Sequence, residues 1–276
     1  MGPRSPSFLG RPLEPDRLFV IAGPCVIESE AMSFDVAGKL KEICGRLQID
    51  LVFKSSYRKA NRSSVDSFVG PEIDEGLRIL KSVRTQLEIP VLTDVHTPQE
   101  VAAVAEAVDV LQIPAFLSRQ TPLLQEAARC SRFVNVKKGQ FLAPRDMRRV
   151  VEKLHAARPD GECWLTERGT TFGYGDLVVD MRGFEIMRDL PCAIVFDVTH
   201  SLQHPGVGGD RRFARTLARA ALAAGADGLF LEVHPDPDRA LSDSTTQLPV
   251  ETVADFLDEM RGWKQHAARS VAREQM

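Results

Sequence analysis

Eight short apolar runs recur along the chain, and each ends on residues able to hold an anion or a metal. Val20-Ile21-Ala22 leads to Gly23-Pro24-Cys25, Leu51-Val52-Phe53 to Lys54, and Pro90-Val91-Leu92-Thr93 to Asp94. The run 108–111 meets Gln112, and the run 133–136 meets Lys137-Lys138. Trp164-Leu165-Thr166 meets Glu167-Arg168, the run 193–196 meets Asp197 and His200, and Leu229-Phe230-Leu231 meets Glu232 and His234. Short buried strands whose C-terminal ends all turn polar are what a (β/α)8 TIM barrel needs, because its active site is assembled from those ends. A single α/β barrel domain is therefore expected over residues 17–276. Residues 1–16, with four prolines among arginines and no periodicity, read as a loose N-terminal arm or a short hairpin.

Helix signals fill the gaps between the runs. Ile73, Leu77, Leu80, Val83 and Leu87 share one face of a helix. Thr97-Pro98-Gln99-Glu100 spells a capping box, and Thr121-Pro122 repeats the cap-plus-proline device. An alanine-rich helix from Ala214 to Ala224 is expected to end at Gly225, and a last helix to run from Leu248-Pro249 past Trp263. The connections after Lys54, His200 and Glu232 are long for a compact barrel, which marks them as functional.

A net charge of −3 offers no field for nucleic acid or a membrane surface. Five scattered cysteines without CxxC spacing suggest neither a disulfide framework nor a zinc knuckle. With no signal-like start and no apolar run near membrane-spanning length, a cytoplasmic protein is expected.

Two constellations carry chemistry. Lys54, Lys59, Arg62, Arg119, Lys137 and Arg168 fall on or just after strand ends, a clamp suited to phosphorylated small molecules. A lysine imine is the rival use of Lys54 or Lys137. Cys25, His200, Glu232 and Asp243 belong to strands 1, 7 and 8 and the loop after strand 8, which barrel closure brings together. Thiolate, imidazole and two carboxylates suit Zn²⁺, Fe²⁺, Mn²⁺ or Co²⁺ better than Ca²⁺ or Mg²⁺. Taken singly, Cys25 also reads as a small buried apolar residue, His200 as a base or helix cap, and Glu232 as half of an ion pair. His96 and His234 are candidate supporting residues.

Several motifs in order resemble the 3-deoxy-D-manno-octulosonate 8-phosphate synthases (2-dehydro-3-deoxyphosphooctonate aldolases). These are Ala22-Gly23-Pro24-Cys25, Lys59-Ala60-Asn61-Arg62-Ser63-Ser64, Gln112-Ile113-Pro114-Ala115-Phe116-Leu117, Asn135-Val136-Lys137-Lys138-Gly139, Phe196-Asp197-Val198-Thr199-His200 and Glu232-Val233-His234-Pro235. Cys25 together with Ser242-Asp243 is similar to the metal-requiring branch. The resemblance implies that Lys54, Lys59, Gln112, Lys137 and Arg168 hold phosphoenolpyruvate. It implies that Asn61, Arg62, Ser63 and Asp94 meet arabinose 5-phosphate, and that Phe116 and Arg119 reach a neighbouring subunit's site in a homotetramer. Ser56, Pro114 and Ala115 complete the substrate-binding set, with Asn61, Asp94 and His200 as the catalytic residues. Tyr57-Arg58, where that family usually has phenylalanine and aspartate, Val69 in place of a common arginine, and a short loop after His200 depart from its pattern. The heptulosonate 7-phosphate synthases share the fold and are the nearest rival; a barrel that only senses phosphorylated metabolites would need the clamp without the metal donors.

Overall fold

The computed structural model describes residues 6–60, 67–204 and 207–274. Its frame is a closed ring of eight parallel strands: β1 (Phe19–Gly23), β2 (Asp50–Lys54), β3 (Val91–Asp94), β4 (Val110–Ile113), β5 (Phe133–Lys137), β6 (Glu162–Glu167), β7 (Ala193–Asp197) and β8 (Gly228–His234). Each strand pairs with the next, and β8 pairs with both β7 and β1, so no edge is left open. Eight helices cover the outside: α1 (Glu30–Leu47), α2 (Ile73–Leu87), α3 (Val101–Ala107), α4 (Thr121–Cys130), α5 (Met147–Ala157), α6 (Arg182–Arg188), α7 (Ala214–Ala223) and α8 (Val250–Glu274). This is the (β/α)8 barrel that the eight runs predict. Among the described residues no helix is long and apolar enough to cross a membrane.

Local chemistry fixes the helix ends. Ser29 caps α1 by accepting from the backbone N–H of Met32. Glu100 reaches back to the N–H of Thr97, which is half of the expected box; a turn then intervenes, and α3 proper begins only at Val101. In α4 the flanking residue is Gln120, one position before the expected threonine, with Pro122 in the first turn. Gly225 sits at φ +100°, where the N–H of Ala226 closes on the Ala221 carbonyl and ends α7 as its sequence anticipates.

Strand alternation sorts the side chains into two cores. Val20, Ala22, Leu51, Phe53, Leu111, Leu165, Ile194, Phe196 and Leu231 face outward into the layer shared with the helices. Phe19, Ile21, Val52, Leu92, Val110, Trp164, Val195 and Phe230 point into the barrel and fill its floor. Two residues beyond several of these floor residues, on the same inward face, stand Lys54, Asp94, Gln112, Thr166, Asp197 and Glu232. The polar layer of the barrel is thus set by the same two-residue period that builds its apolar plug.

Within the stretch expected to be a loose arm or short hairpin, Ser7–Phe8 pairs with Arg11–Pro12 as an antiparallel hairpin. Phe8 is buried in the barrel floor, stacked on Trp164 with ring centroids 5.6 Å apart and tilted against Phe19. The indole N–H of Trp164 donates to the Ser7 carbonyl at 3.0 Å. The hairpin therefore closes the end of the barrel opposite the polar layer.

Candidate active site

The polar layer is wired from strand to strand. Ser56 and Gln112 both donate to the Asp94 carboxylate, one to each oxygen. Asn135 donates to Gln112 Oε1 at 2.8 Å and accepts from the Thr166 hydroxyl at 2.7 Å. This chain crosses from β2 to β6 and leaves each amide only one way round, because its oxygen and nitrogen face different partners. Asn135 and Thr166 were not singled out from the sequence; the only signal was a polar side chain inside an otherwise apolar run.

Above this layer opens a cavity of about 640 Å³. Lys54, Lys59, Lys137 and Arg168 line it, as do Asp94, Gln112, Pro114, Ala115, Phe116, His200 and Asp243. Ser56 lies beneath, buried against Asp94, and Cys25 and Glu232 are buried at one side. Arg119 is exposed and lines no part of the cavity. Asn61, Arg62 and Ser63 lie outside the described residues. Lys138 turns away from its neighbour, towards Glu167 and the Leu142 carbonyl.

The surplus of positive charge expected at the rim is not found among the described residues. Lys54 Nζ pairs with Glu232 Oε1 at 2.6 Å, and Lys137 Nζ with Asp197 Oδ2 at 2.7 Å. Lys59 Nζ lies 3.9 Å from the same Glu232 oxygen, and Arg168 is attracted by Asp197 and Asp243. Strand ends supply both signs, and groups this deeply buried need counter-charges to stay ionised. Burial raises the Asp94 carboxyl, but Lys59 and Lys54 outweigh it and hold the group well below the carboxylate range. Glu232 follows the same logic, with burial opposed by His200, Lys54 and Lys59. Lys137 is pulled below the ordinary lysine value, chiefly by burial and against the attraction of Asp197. Its Nζ also sits 3.6 Å above the centre of the Phe230 ring.

Cys25, Glu232 and Asp243 place one ligand atom each within 4.8 Å of one another. Gly23 makes this possible: a Cβ there would lie 2.0 Å from the Lys54 carbonyl oxygen, so only glycine lets β1 turn past β2 at this point. Cys25 Sγ lies 3.1 Å from Asp243 Oδ2. His200 stands at the edge of the group, its Nε2 3.6 Å from Glu232 and 3.8 Å from Asp243. Its Nδ1 faces Asp197 at 2.9 Å, so the ring turns its other nitrogen towards the three donors. Glu232 Oε2 is buried without a hydrogen-bond partner among the described residues. An orphaned carboxylate oxygen beside a thiol, a second carboxylate and an imidazole fits a borderline-soft dication.

The DAHP synthetase I family model matches residues 14–268. The chain belongs to the DAHP synthetase I family. Within it, the chain is 52% identical over 257 residues to the 2-dehydro-3-deoxyphosphooctonate aldolase of Syntrophobacter fumaroxidans, covering 91% of this chain and 89% of that one. The proteins of the same name from Thioalkalivibrio sulfidiphilus (53% over 245 residues, 87% of each chain) and Bordetella pertussis (51% over 252 residues, 88% of each) are similar to it in the same measure. These family relatives carry the name to which the motifs of the sequence already pointed.

Proposed function

We propose that the chain is a metal-dependent 3-deoxy-8-phosphooctulonate synthase. It condenses phosphoenolpyruvate with D-arabinose 5-phosphate and water, giving 3-deoxy-D-manno-octulosonate 8-phosphate and phosphate, a step towards lipopolysaccharide sugars. The observation that carries this reading is the adjacency of Cys25, Glu232 and Asp243 to a cavity holding Lys54, Lys59, Lys137 and Arg168. The shared name of the relatives supports it.

Phosphoenolpyruvate brings its own nucleophilic carbon, so no imine is needed. Its C3 attacks the aldehyde of the sugar while water adds at C2, and the hemiketal phosphate collapses with C–O cleavage. Lys137 and Arg168 hold the phosphate and carboxylate of phosphoenolpyruvate, with Lys54, Lys59 and Gln112 completing the grip. Fixed cations next to developing charge supply most of the acceleration, because they need no reorganisation at the moment of reaction. Asp94, its oxygens already set by Ser56 and Gln112, orients the sugar together with Asn61, Arg62 and Ser63. A dication held by Cys25, His200, Glu232 and Asp243, as Zn²⁺, Fe²⁺, Mn²⁺ or Co²⁺, supplies Lewis acidity to the aldehyde or the water. The barrel from residue 17 onward acts as one catalytic domain, in the cytoplasm, as a homotetramer. Phe116, exposed by 56% although it lines its own cavity, and the exposed Arg119 suit a contact with the neighbouring site.

Loss of phosphoenolpyruvate absorbance tests the reading. Arabinose 5-phosphate should drive it, erythrose 4-phosphate should not, and a chelator should abolish it until Mn²⁺ or Co²⁺ is returned. Preference for erythrose 4-phosphate would make the chain a heptulosonate synthase instead, and full activity of metal-free protein would remove the metal from the account.

A further inference from the structure

Tyr57, His96 and Glu100 form a cluster in the cavity wall for which the reaction above leaves no role. His96 leaves the end of β3 two residues beyond Asp94, and lines the cavity with Asp94, Lys59, Ala60 and Phe116. The Glu100 carboxylate lies against it and accepts from the backbone N–H groups of both His96 and Thr97. The same oxygen stands 3.4 Å from His96 Nδ1. The Tyr57 hydroxyl, which also hydrogen-bonds with the Glu100 carboxylate, approaches that nitrogen at 3.5 Å, and the two rings meet edge-on with centroids 5.8 Å apart. Tyr57 itself is fully buried. Burial pushes the Glu100 carboxyl up, but its hydrogen bonds with His96 and Thr97 outweigh this and hold it down at about 2. Glu100 is therefore a carboxylate at any working pH.

A carboxylate against Nδ1 keeps a proton on that nitrogen, and in the neutral ring this leaves Nε2 as a lone pair. Nδ1 is occupied by the wall, so Nε2 is the polar atom the ring can offer a ligand. Asp94, also an acceptor and a repellent for phosphate, lines the same cavity. Two acceptors in one cavity suit the hydroxyls of a sugar chain, while the cations that share the cavity suit its phosphate. We propose that His96 is a specificity-determining residue whose Nε2 accepts a hydrogen bond from a hydroxyl of the acceptor sugar phosphate, with Glu100 and Tyr57 as its positioning residues. This deepens the function proposed above and rests on it.

Calorimetric titration separates the two. Arabinose 5-phosphate, its monodeoxy analogues and phosphoenolpyruvate are titrated into wild type, His96→Ala, His96→Gln, Glu100→Gln and Tyr57→Phe, and melting curves check each fold. His96→Ala should weaken arabinose 5-phosphate on the order of tenfold, the scale of one hydrogen bond. Phosphoenolpyruvate should change by less than about twofold on the same scale. One deoxy analogue should bind wild type and His96→Ala alike, since the lost hydroxyl is the one His96 reads. His96→Gln, which keeps an acceptor near Nε2, should recover part of the affinity, and Glu100→Gln and Tyr57→Phe should show smaller losses confined to the sugar. Unchanged sugar affinity in His96→Ala, equal losses for sugar and phosphoenolpyruvate, or no analogue matching the variant would overturn the inference while leaving the function standing. A wild type that binds phosphoenolpyruvate but no arabinose 5-phosphate would overturn both.

Discussion

At the scale of single residues, what decides this site is the inward face of each strand. Lys54, Asp94, Gln112 and Glu232 were legible in the sequence because each ends an apolar run, where a polar side chain has few places to go but the barrel mouth. Asn135 and Thr166 were not, because a polar residue within a strand reads the same whether it meets solvent, a helix or a neighbouring amide. The register sets Asn135 opposite Gln112 on β4 and Trp164 on β6, which brings its side chain within reach of Thr166. Likewise the pairing of Lys54 with Glu232 and of Lys137 with Asp197 needs the closed ring, and neither pair can be read from the strand ends alone. The belt gives a direct prediction. Asn135→Leu, which keeps the branching at Cγ and the number of heavy atoms, leaves Gln112 Oε1 and the Thr166 hydroxyl without partners and should cost about 1–3 kcal/mol in chemical denaturation. Because Gln112 in turn holds Asp94, the variant should also slow turnover more than its loss of stability accounts for. Unchanged stability would show that the belt is dispensable.

Among the elements, periodicity and caps located α2, α3, α4, α7 and α8, while their first turns were less well read. The box before α3 is half-used because the Glu100 N–H closes a turn on the Thr97 carbonyl rather than meeting the Thr97 hydroxyl, so the regular helix starts late. The N-terminal hairpin is the clearest case of tertiary information. Nothing in the sequence around Phe8 says that its ring fits between Phe19 and Trp164, and Gly228 contributes by leaving room: a Cβ there would strike the Phe19 ring at 2.5 Å. The hairpin fills the floor on which the polar layer rests, so it is structural in effect although remote from the chemistry. Phe8→Ala should lower unfolding stability by about 3 kcal/mol, as for other large-to-small changes in a core. Substrate affinities measured below the unfolding transition should stay near those of wild type. A variant as stable as wild type would mean that the hairpin only rests on the barrel.

For the molecule as a whole, closure is the step that turns scattered residues into a site. Cys25 and Asp243 are separated by most of the chain, yet β8 lies beside β1, so thiol and carboxylates meet. The fold class and the meeting of Cys25 with Glu232 and Asp243 could be read in advance because both follow from strand order round a ring. The balance of charge within the cavity could not, since it depends on which neighbours each strand end faces. We propose that Cys25, His200, Glu232 and Asp243 together hold one dication at the cavity rim. Anaerobic titration of metal-free protein with Co²⁺, followed by absorption in the near ultraviolet and visible, tests it most directly. The account predicts saturation at one equivalent, with a thiolate-to-cobalt charge-transfer band that disappears in Cys25→Ser and visible bands of low-coordinate cobalt that weaken in Asp243→Asn. A titration without the thiolate band, or one that Cys25→Ser leaves unchanged, would contradict it.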